Sequence, residues 1–326
     1  MRVYRDIAHL EPAAFRNPVV TIGVFDGVHR GHEHLITGVK EWARELGDGE
    51  RAGEAVGLTF EAHPLTVLGR RSPAMLTSID HRLVLLERAG LDAAVVLRFD
   101  KAMAEMTAEV FAQEILIDRI GSRHLLMGFD ASFGKGAHGT PEYLRRAFGD
   151  ALEIRERSEL LLDGEPISST EVRNALLKGE LDTASRLLGR PASLYGKVIH
   201  GDGRGRTIGF PTANLNLLHS AAPPHGVYVA DTHLDGRRWP CLVNIGRRPT
   251  FMRPDDPADY SRYFNEQLDK VEVYVHGFEG DLYDRHVETS LYRKLRDERR
   301  FDGVDALIDQ IHRDVTALEE WWQAPR

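Results

Sequence analysis

Four short, nearly all-apolar runs alternate with longer segments of helical period, and this alternation restricts the fold more than any other feature of the chain. The runs are "VVTIGVF" from Val19, "AVGLTF" from Ala55, "AAVVLRF" from Ala93 and "RHLLMGF" from Arg123. After the first, Leu35, Ile36, Val39, Trp42 and Ala43 mark one helical face, and "SIDHRLVLLERAG" and "TAEVFAQEILIDRI" read as further helices. Strand–helix–strand alternation of this kind predicts a parallel sheet covered by helices. The segment Ser168–Leu188 reads as helical, with Gly189 and Pro191 as its stop.

Beyond Pro191 the pattern changes to strands separated by turn residues: "YGKVIHGDGRGRTIGF", "GVYVADTHLDGRRWPCLVNIG" and "KVEVYVHGF". Alternation in "VYVADTHL", followed by Asp-Gly, predicts a half-exposed antiparallel strand entering a hairpin. A small antiparallel barrel or sandwich satisfies this pattern. Val304, Leu307, Ile308, Ile311, Val315 and Leu318 keep a helical period that closes it, with Asp302 placed as N-cap. A chain of 326 residues favours two domains, and the change of pattern sets them at 1–188 and 189–326. No internal repeat or low-complexity tract is present, and the polar stretch "RPDDPADYSRYFNEQ" reads as a surface loop.

Composition narrows the function. Hydrophobic residues make up 42% and charged residues 28%, enough for a core in each half. A formal net charge of -8 argues against the broad positive field of non-specific nucleic-acid binders. With Cys241 as the single cysteine no intrachain disulfide can form, which fits a reducing compartment. "MRVYRDIAHLEPAAF" lacks an apolar stretch of signal-peptide length, and no apolar run approaches about 18 residues. The expectation is a cytoplasmic protein with no membrane and no nucleic-acid partner; oligomeric state is not encoded in any feature of the chain.

The first apolar run ends in "GVFDGVHRGHEH", between a strand and a helix. Gly27 and Gly31 let the backbone turn closely around a ligand, and His29 and His32 point from the helix entrance. A helix N-terminus attracts phosphate, and two imidazoles three residues apart share one face and can donate to phosphate oxygens as a pyrophosphate leaves. Solvated surface histidines are the alternative, as is a metal site that includes His34, although His34 lies on another helical face and no thiolate accompanies it. "FDGV" occurs again at Phe301–Val304, where it reads only as a helix start. Farther on, "ISSTEVR" has Ser168 and Glu171 at capping-box spacing, while Ser169, Thr170 and Arg173 add two hydroxyls and a cation suited to a triphosphate.

Taken together, "GVFDGVHRGH" and "ISSTEVR" resemble the nucleotidyltransferase module of the bacterial bifunctional riboflavin kinase/FAD synthetases. "TFEAHPLTVL", with His63 and Pro64, and "MGFDASFGKGAHGT", with Asp130, Phe133 and Gly134, are similar to that family as well. The chain departs from it at Ala62, where proline is usual, and at Ala131, where an aromatic is usual. The resemblance implies a Rossmann-like nucleotidyltransferase sheet in which Gly23, Phe25, Asp26, Gly27, Gly31, Ser169, Thr170 and Arg173 bind ATP. It also implies that His63, Pro64 and Asp130 bind flavin.

In the second half, "GDGRGRTIGFPTANL" reads either as an arginine-bearing hairpin turn or as a phosphate-wrapping loop, with Gly203, Gly205 and Arg206 at its centre. Thr212 and Asn214 offer oxygen ligands at alternate positions, suitable for Mg²⁺. No G-x-x-x-x-G-K-[ST] and no protein-kinase catalytic loop occurs. Glu272, an acidic residue within an apolar strand, is a candidate base whose burial would tune it, or else it faces solvent by alternation. "GRGRTIGFPTANL", "GVYVA", "NIGRRPTF", "VEVYVHGFEGDLY" and "LRDERRFDGVDALIDQI" are similar, in order, to the flavokinase module of the same family. Tyr274, His276 and Asp284 depart locally, Asp284 standing where glycine is usual. The resemblance implies that Thr212 and Asn214 bind metal and nucleotide, Glu272 is the base, and Arg296 contacts flavin.

The expectation is a two-domain enzyme that phosphorylates riboflavin to FMN with Mg-ATP and then adenylates FMN to FAD. The alternatives are a flavin-binding protein that keeps only the kinase activity, and a regulator whose catalytic residues are relics. Retention of both histidines, Thr212, Asn214 and Glu272 speaks against relics.

Overall fold

The computed structural model describes residues 1–7, 10–11, 14–47, 52–69, 72–201, 204–217, 221–246 and 270–324. Packing divides it into two compact units, residues 1–73 with 79–169, and residues 74–78 with 170–326.

The first unit holds six strands, β1 (Arg2–Tyr4), β2 (Val19–Ile22), β3 (Ala55–Phe60), β4 (Ala93–Leu97), β5 (His124–Gly128) and β6 (Glu153–Arg157). They lie in the order β1-β4-β3-β2-β5-β6, and each adjacent pair runs parallel. The four apolar runs are the four central strands, whose Val19, Val20, Ala55, Val56, Leu58, Ala93, Val95 and Leu125 have no accessible surface. Helices cover the sheet; that of Arg30–Glu45 buries Leu35, Ile36, Val39, Trp42 and Ala43, the face its period marks. Order reverses beside β2: the chain moves through β3 and β4 on one side and returns to β5 and β6 on the other. Ligands of open α/β sheets bind at such a switch point, outside the carboxyl ends of the strands. A two-stranded hairpin, β7 (Leu161–Leu162) and β8 (Glu165–Pro166), follows.

The second unit is a closed antiparallel barrel of β9 (Ser193–Ile199), β10 (Ala213–Leu217), β11 (Gly226–Leu234), β12 (Arg237–Gly246), β13 (Lys270–Val275) and β14 (His286–Arg296), ordered β10-β13-β12-β11-β14-β9 with β9 and β10 paired. Alternation fills it: Leu215, Leu217, Tyr228, Ala230, Cys241, Val243, Ile245, Val271, Val273, Val275, Val287 and Leu291 form its core. On the outside, Val227, Val229 and Leu242 pack with Leu318, Val315 and Trp321 of the helix Val304–Gln323. The N-cap of that helix is Gly303, with no side-chain cap bond, not Asp302 as the sequence predicts. Gly303 is extended at φ 171°, so the helix starts one residue later than the Asp302 cap requires. The polar stretch at 253–267 and the segment "RRPTF" lie outside the described residues.

The helices Ser169–Lys178 and Leu181–Leu188 belong largely to the second unit, earlier in the chain than the change of pattern at 188/189. Their Val172, Ala175, Leu176, Leu181, Ala184 and Leu188 join the barrel core, as does Leu76, and Ala221 N–H donates to the Met75 carbonyl at 2.9 Å. Burying one large apolar side chain contributes about 1.5–3 kcal/mol. A fragment of residues 189–326 should therefore fold with a clearly lower urea midpoint than a fragment of residues 168–326. Equal midpoints by circular dichroism would show that these helices add nothing to the barrel.

Candidate functional sites

In the first unit the loop leaving β2 is bent into left-handed backbone at three places, Phe25 (φ 52°), Gly27 (φ 82°) and Val28 (φ 40°). A β-branched residue pays a steric penalty there, so the loop must be held from outside. Four hydrogen bonds hold it. Gly23 N–H donates to Leu58 O at 3.0 Å and Val28 N–H to Phe25 O at 3.1 Å. The Thr59 hydroxyl donates to Val24 O at 3.0 Å, and the Ser169 hydroxyl to Asp26 O at 2.9 Å.

The loop delivers His29 as N-cap of the helix Arg30–Glu45, where its Nδ1 accepts the His32 N–H at 3.4 Å. The two imidazoles stack with centroids 3.7 Å apart and planes 19° apart, and Phe25 meets His32 edge-on at 5.2 Å. His29 and Asp26 are only 5% and 2% exposed, which removes the reading of solvated surface histidines for His29. Gly31 is required by close approach, since a Cβ there would lie 3.1 Å from the His29 ring and 3.2 Å from Ile167 O. His34 turns away to accept from Arg157 Nε at 3.1 Å, and no cluster of three metal-ligating side chains occurs among the described residues.

His63 follows β3 and caps the one-turn helix Pro64–Val67 by accepting the Leu65 N–H at 3.2 Å. Asp130, at φ 55°, turns the chain after β5, and Ala131 N–H donates to Gly128 O at 3.1 Å. These loops and the histidine loop all leave carboxyl ends of strands. Beside Asp130, Phe129 is 58% exposed, a large apolar side chain that the sequence reading passed over. The division between units falls between Ser169 and Thr170, so Thr170 and Arg173 belong to the second unit, where Arg173 Nε donates to Ala74 O at 2.6 Å.

One further residue supports the loop indirectly, through Thr59. Arg82 is 1% exposed, and its Nη1 donates to Thr59 Oγ1 at 3.1 Å and to Phe60 O at 2.8 Å. Burial pulls its pKa down to about 10, against the opposing attraction of Asp26. The sequence did carry a signal for it, because Arg82 shares the buried helical face of Leu85 and Leu86.

In the barrel, strand register brings three residues into one row. Glu272 on β13 stands opposite Asn214 on β10 and opposite Asn244 on β12. Since Val271, Val273 and Val275 fill the interior, this row faces outward. Glu272 is thus not enclosed within the strand core: its side chain is 25% exposed and its carboxylate pairs with Lys270 at 2.9 Å. Asn244 was missed in the sequence, where nothing but register would reveal it. Thr212 immediately precedes β10. The glycine-rich segment forms a one-turn helix, Arg204–Thr207, and Phe210 N–H returns to Gly205 O at 2.8 Å. A Cβ at Gly205 would lie 2.3 Å from Phe210 O and 3.3 Å from Thr212 Oγ1, so this close approach needs glycine. Gly203 lies outside the described residues.

Phe210 packs edge-on against Tyr274 and against His312 of the closing helix, at 5.7 and 5.1 Å. His276 joins Glu319 of the same helix at 3.0 Å. Arg296 is committed to that helix too: Nε and Nη2 donate to the 5%-exposed Asp314 at 2.8–3.1 Å. Asp284, at φ 61°, occupies left-handed backbone that glycine takes freely and aspartate tolerates, and its carboxylate pairs with Lys197 at 2.8 Å.

Both halves match known families: residues 11–171 match FAD synthetase and residues 188–322 match riboflavin kinase. The bifunctional riboflavin kinase/FMN adenylyltransferase of Pseudomonas fluorescens is 35% identical over 97% of this chain and 96% of its own. That of Escherichia coli strain K12 is 36% identical over 99% and 98%. A crystal structure described as a macrolide-efflux protein of Streptococcus pneumoniae is 30% identical with a TM-score of 0.78, covering 98% of each chain. No described helix of this chain is long and apolar enough to cross a membrane. With a parallel sheet bearing the histidine loop, a barrel bearing the Asn214–Glu272 row, and relatives matched over nearly their full length, the chain belongs to the bifunctional riboflavin kinase/FMN adenylyltransferase family.

Proposed function

We propose that the chain makes FMN from riboflavin and ATP in its barrel, residues 189–326, and FAD from FMN and a second ATP in the domain of residues 1–188. The observation that carries this reading is the presence in one chain of both constructions, the capped histidine pair and the outward polar row. A protein that retained only the kinase activity has no such need of a stacked histidine pair, one member of it buried, on a strained loop.

In the barrel, the ribityl 5′-hydroxyl attacks the γ-phosphorus of ATP, the bond to the β-phosphate oxygen breaks, and ADP leaves. Glu272 accepts the hydroxyl proton. Thr212 and Asn214 fit a hard cation, being neutral oxygen donors beside a carboxylate, and would hold Mg²⁺ with the nucleotide phosphates. The ion supplies charge neutralisation at the transferring phosphoryl group. Gly203, Gly205 and Arg206 serve the phosphates, and Arg296, anchored by Asp314, borders the flavin.

In the sheet domain an FMN phosphate oxygen attacks the α-phosphorus of ATP and pyrophosphate leaves, with no covalent enzyme intermediate. His29 and His32 donate to the phosphates as charge moves onto the leaving group, and the helix N-terminus adds to that field. Gly23, Phe25, Asp26, Gly27, Gly31 and Ser169 shape the nucleotide side; Thr170 and Arg173 are assigned to ATP on the "ISSTEVR" resemblance. His63, Pro64 and Asp130 border the flavin. Such a protein works on soluble small molecules, which fits a cytoplasmic location.

Purified protein incubated with riboflavin, ATP and Mg²⁺ should yield FMN and then FAD on chromatographic separation; accumulation of FMN with no FAD would favour the kinase-only protein. His29→Asn keeps a capping acceptor, yet FAD formation should fall about 10²- to 10³-fold while FMN formation stays. A parallel loss of both products in folded protein would break the two-site assignment. Glu272→Gln should lower riboflavin phosphorylation by about 10²- to 10⁴-fold with adenylation of supplied FMN intact. Near-normal FMN production by that variant would remove Glu272 from the chemistry.

A further inference from the structure

Among the described residues Arg82 is the only lysine or arginine that is buried. Its surroundings give it less than a guanidinium requires: Nη1 meets Thr59 Oγ1 and Phe60 O, whereas Nε is buried with no acceptor. Its charge faces Asp26, itself 2% exposed. A buried guanidinium is a poor device for stability, because an apolar side chain of similar volume does as well or better once desolvation is counted. What an apolar side chain cannot do is orient a hydroxyl. Thr59 has one proton, and with Arg82 donating into its oxygen that proton is directed to Val24 O, the carbonyl immediately before left-handed Phe25. Arg82 therefore acts at two points of the strained turn, through Thr59 at its entry and through charge at Asp26 in its middle. The Ser169 hydroxyl holds the same residue by its carbonyl.

We propose that Arg82 is a positioning residue for adenylyl transfer: acting through Thr59 and Asp26, it fixes the turn from which His29 and His32 are presented. This rests on the assignment of the histidine pair to that reaction. Arg82 takes no proton in the reaction; its effect is on where the imidazoles stand. A displacement of about 1 Å at a reacting centre costs about 10²-fold in rate.

The test uses the full chain with steady-state kinetics of FAD formation from supplied FMN and ATP. Thermal unfolding of each full-length variant, followed by circular dichroism, shows whether the first unit is folded, and riboflavin phosphorylation by the same preparation checks the barrel. Arg82→Gln should lower kcat for FAD formation about 10- to 100-fold, with KM for ATP changed much less and phosphorylation unchanged. Arg82→Lys, which restores the charge facing Asp26 but not the planar fork, should recover part of that loss. Thr59→Val removes the hydroxyl with little change of shape and should lower kcat in the same sense. Combined with Arg82→Gln it should add little, since the two act in series. If Arg82→Gln does not fold, Thr59→Val alone decides. A kcat within about threefold of the parent for the folded variants would overturn the proposal, as would full additivity of the two changes. His29→Asn, run alongside, separates the premises: undiminished FAD formation in that variant removes the histidine assignment, whereas a loss there with none at Arg82 or Thr59 removes only the positioning role.

Discussion

The turn from Val24 to Val28 is the constraint on which the first unit depends. A parallel strand must hand over to its crossover helix within a few residues, and here it does so through left-handed Phe25, Gly27 and Val28. Only one of these is glycine. The unfavourable backbone of the other two is offset by bonds that reach into every neighbouring piece: Leu58 and Thr59 at β3, and Ser169 at the far end of the unit. Because those partners come from distant parts of the sequence, the turn cannot take this shape until the sheet has formed. The reward is a helix whose first turn is already capped by an imidazole, that of His29.

The barrel solves a different problem. Its interior is small and entirely apolar along β13, so the polar row of Asn214, Glu272 and Asn244 can only be on the outside. An outward row would ordinarily be washed by solvent, and the closing helix moderates this. Phe210 beside the Thr212–Asn214 segment rests on His312, and Tyr274, two residues beyond Glu272 on the same face, packs into the apolar seam under that helix. Burial raises the Tyr274 hydroxyl pKa, with the charge of Glu319 adding to the effect, so this tyrosine is a neutral packing group. The two candidate sites are thus sheltered by different means, loops at the carboxyl edge of a sheet in one and a helix laid along a barrel in the other.

The sequence was most legible where a structural element is buried. The four central strands and the face of the Arg30–Glu45 helix could be read from apolar runs and period, because burial on both sides leaves no freedom of composition. The two edge strands were not read. β1 has three residues, and β6 is "EIRER", whose only fully buried side chain is Ile154. An edge strand needs backbone partners more than apolar side chains, so its composition resembles a loop. The candidate residues that "H-x-G-H" and "P-T-A-N" spell out could be picked from the sequence, while Thr59, Arg82 and Asn244, which the structure sets beside them, could not. Each of these enters through register or through a buried helix face, and a charged residue on a buried face is discounted by any reading that equates charge with exposure.

Departures from the family pattern become intelligible by the same backbone argument. Asp284 stands where glycine is usual, and its φ of 61° is the conformation glycine would supply; aspartate is among the few other residues that accept it. There the carboxylate gains Lys197, whose hydrogen bond and charge hold its pKa below the usual carboxylate range. Ala131 sits after left-handed Asp130, and the turn is closed by its own N–H to Gly128 O. A backbone bond of that kind is indifferent to side-chain size, so the loss of an aromatic at this position leaves the path of the loop intact. What it removes is surface, next to the exposed ring of Phe129. The histidine loop, for its part, is bonded to Leu58, Thr59 and Ser169, and the lost aromatic leaves those supports as they are.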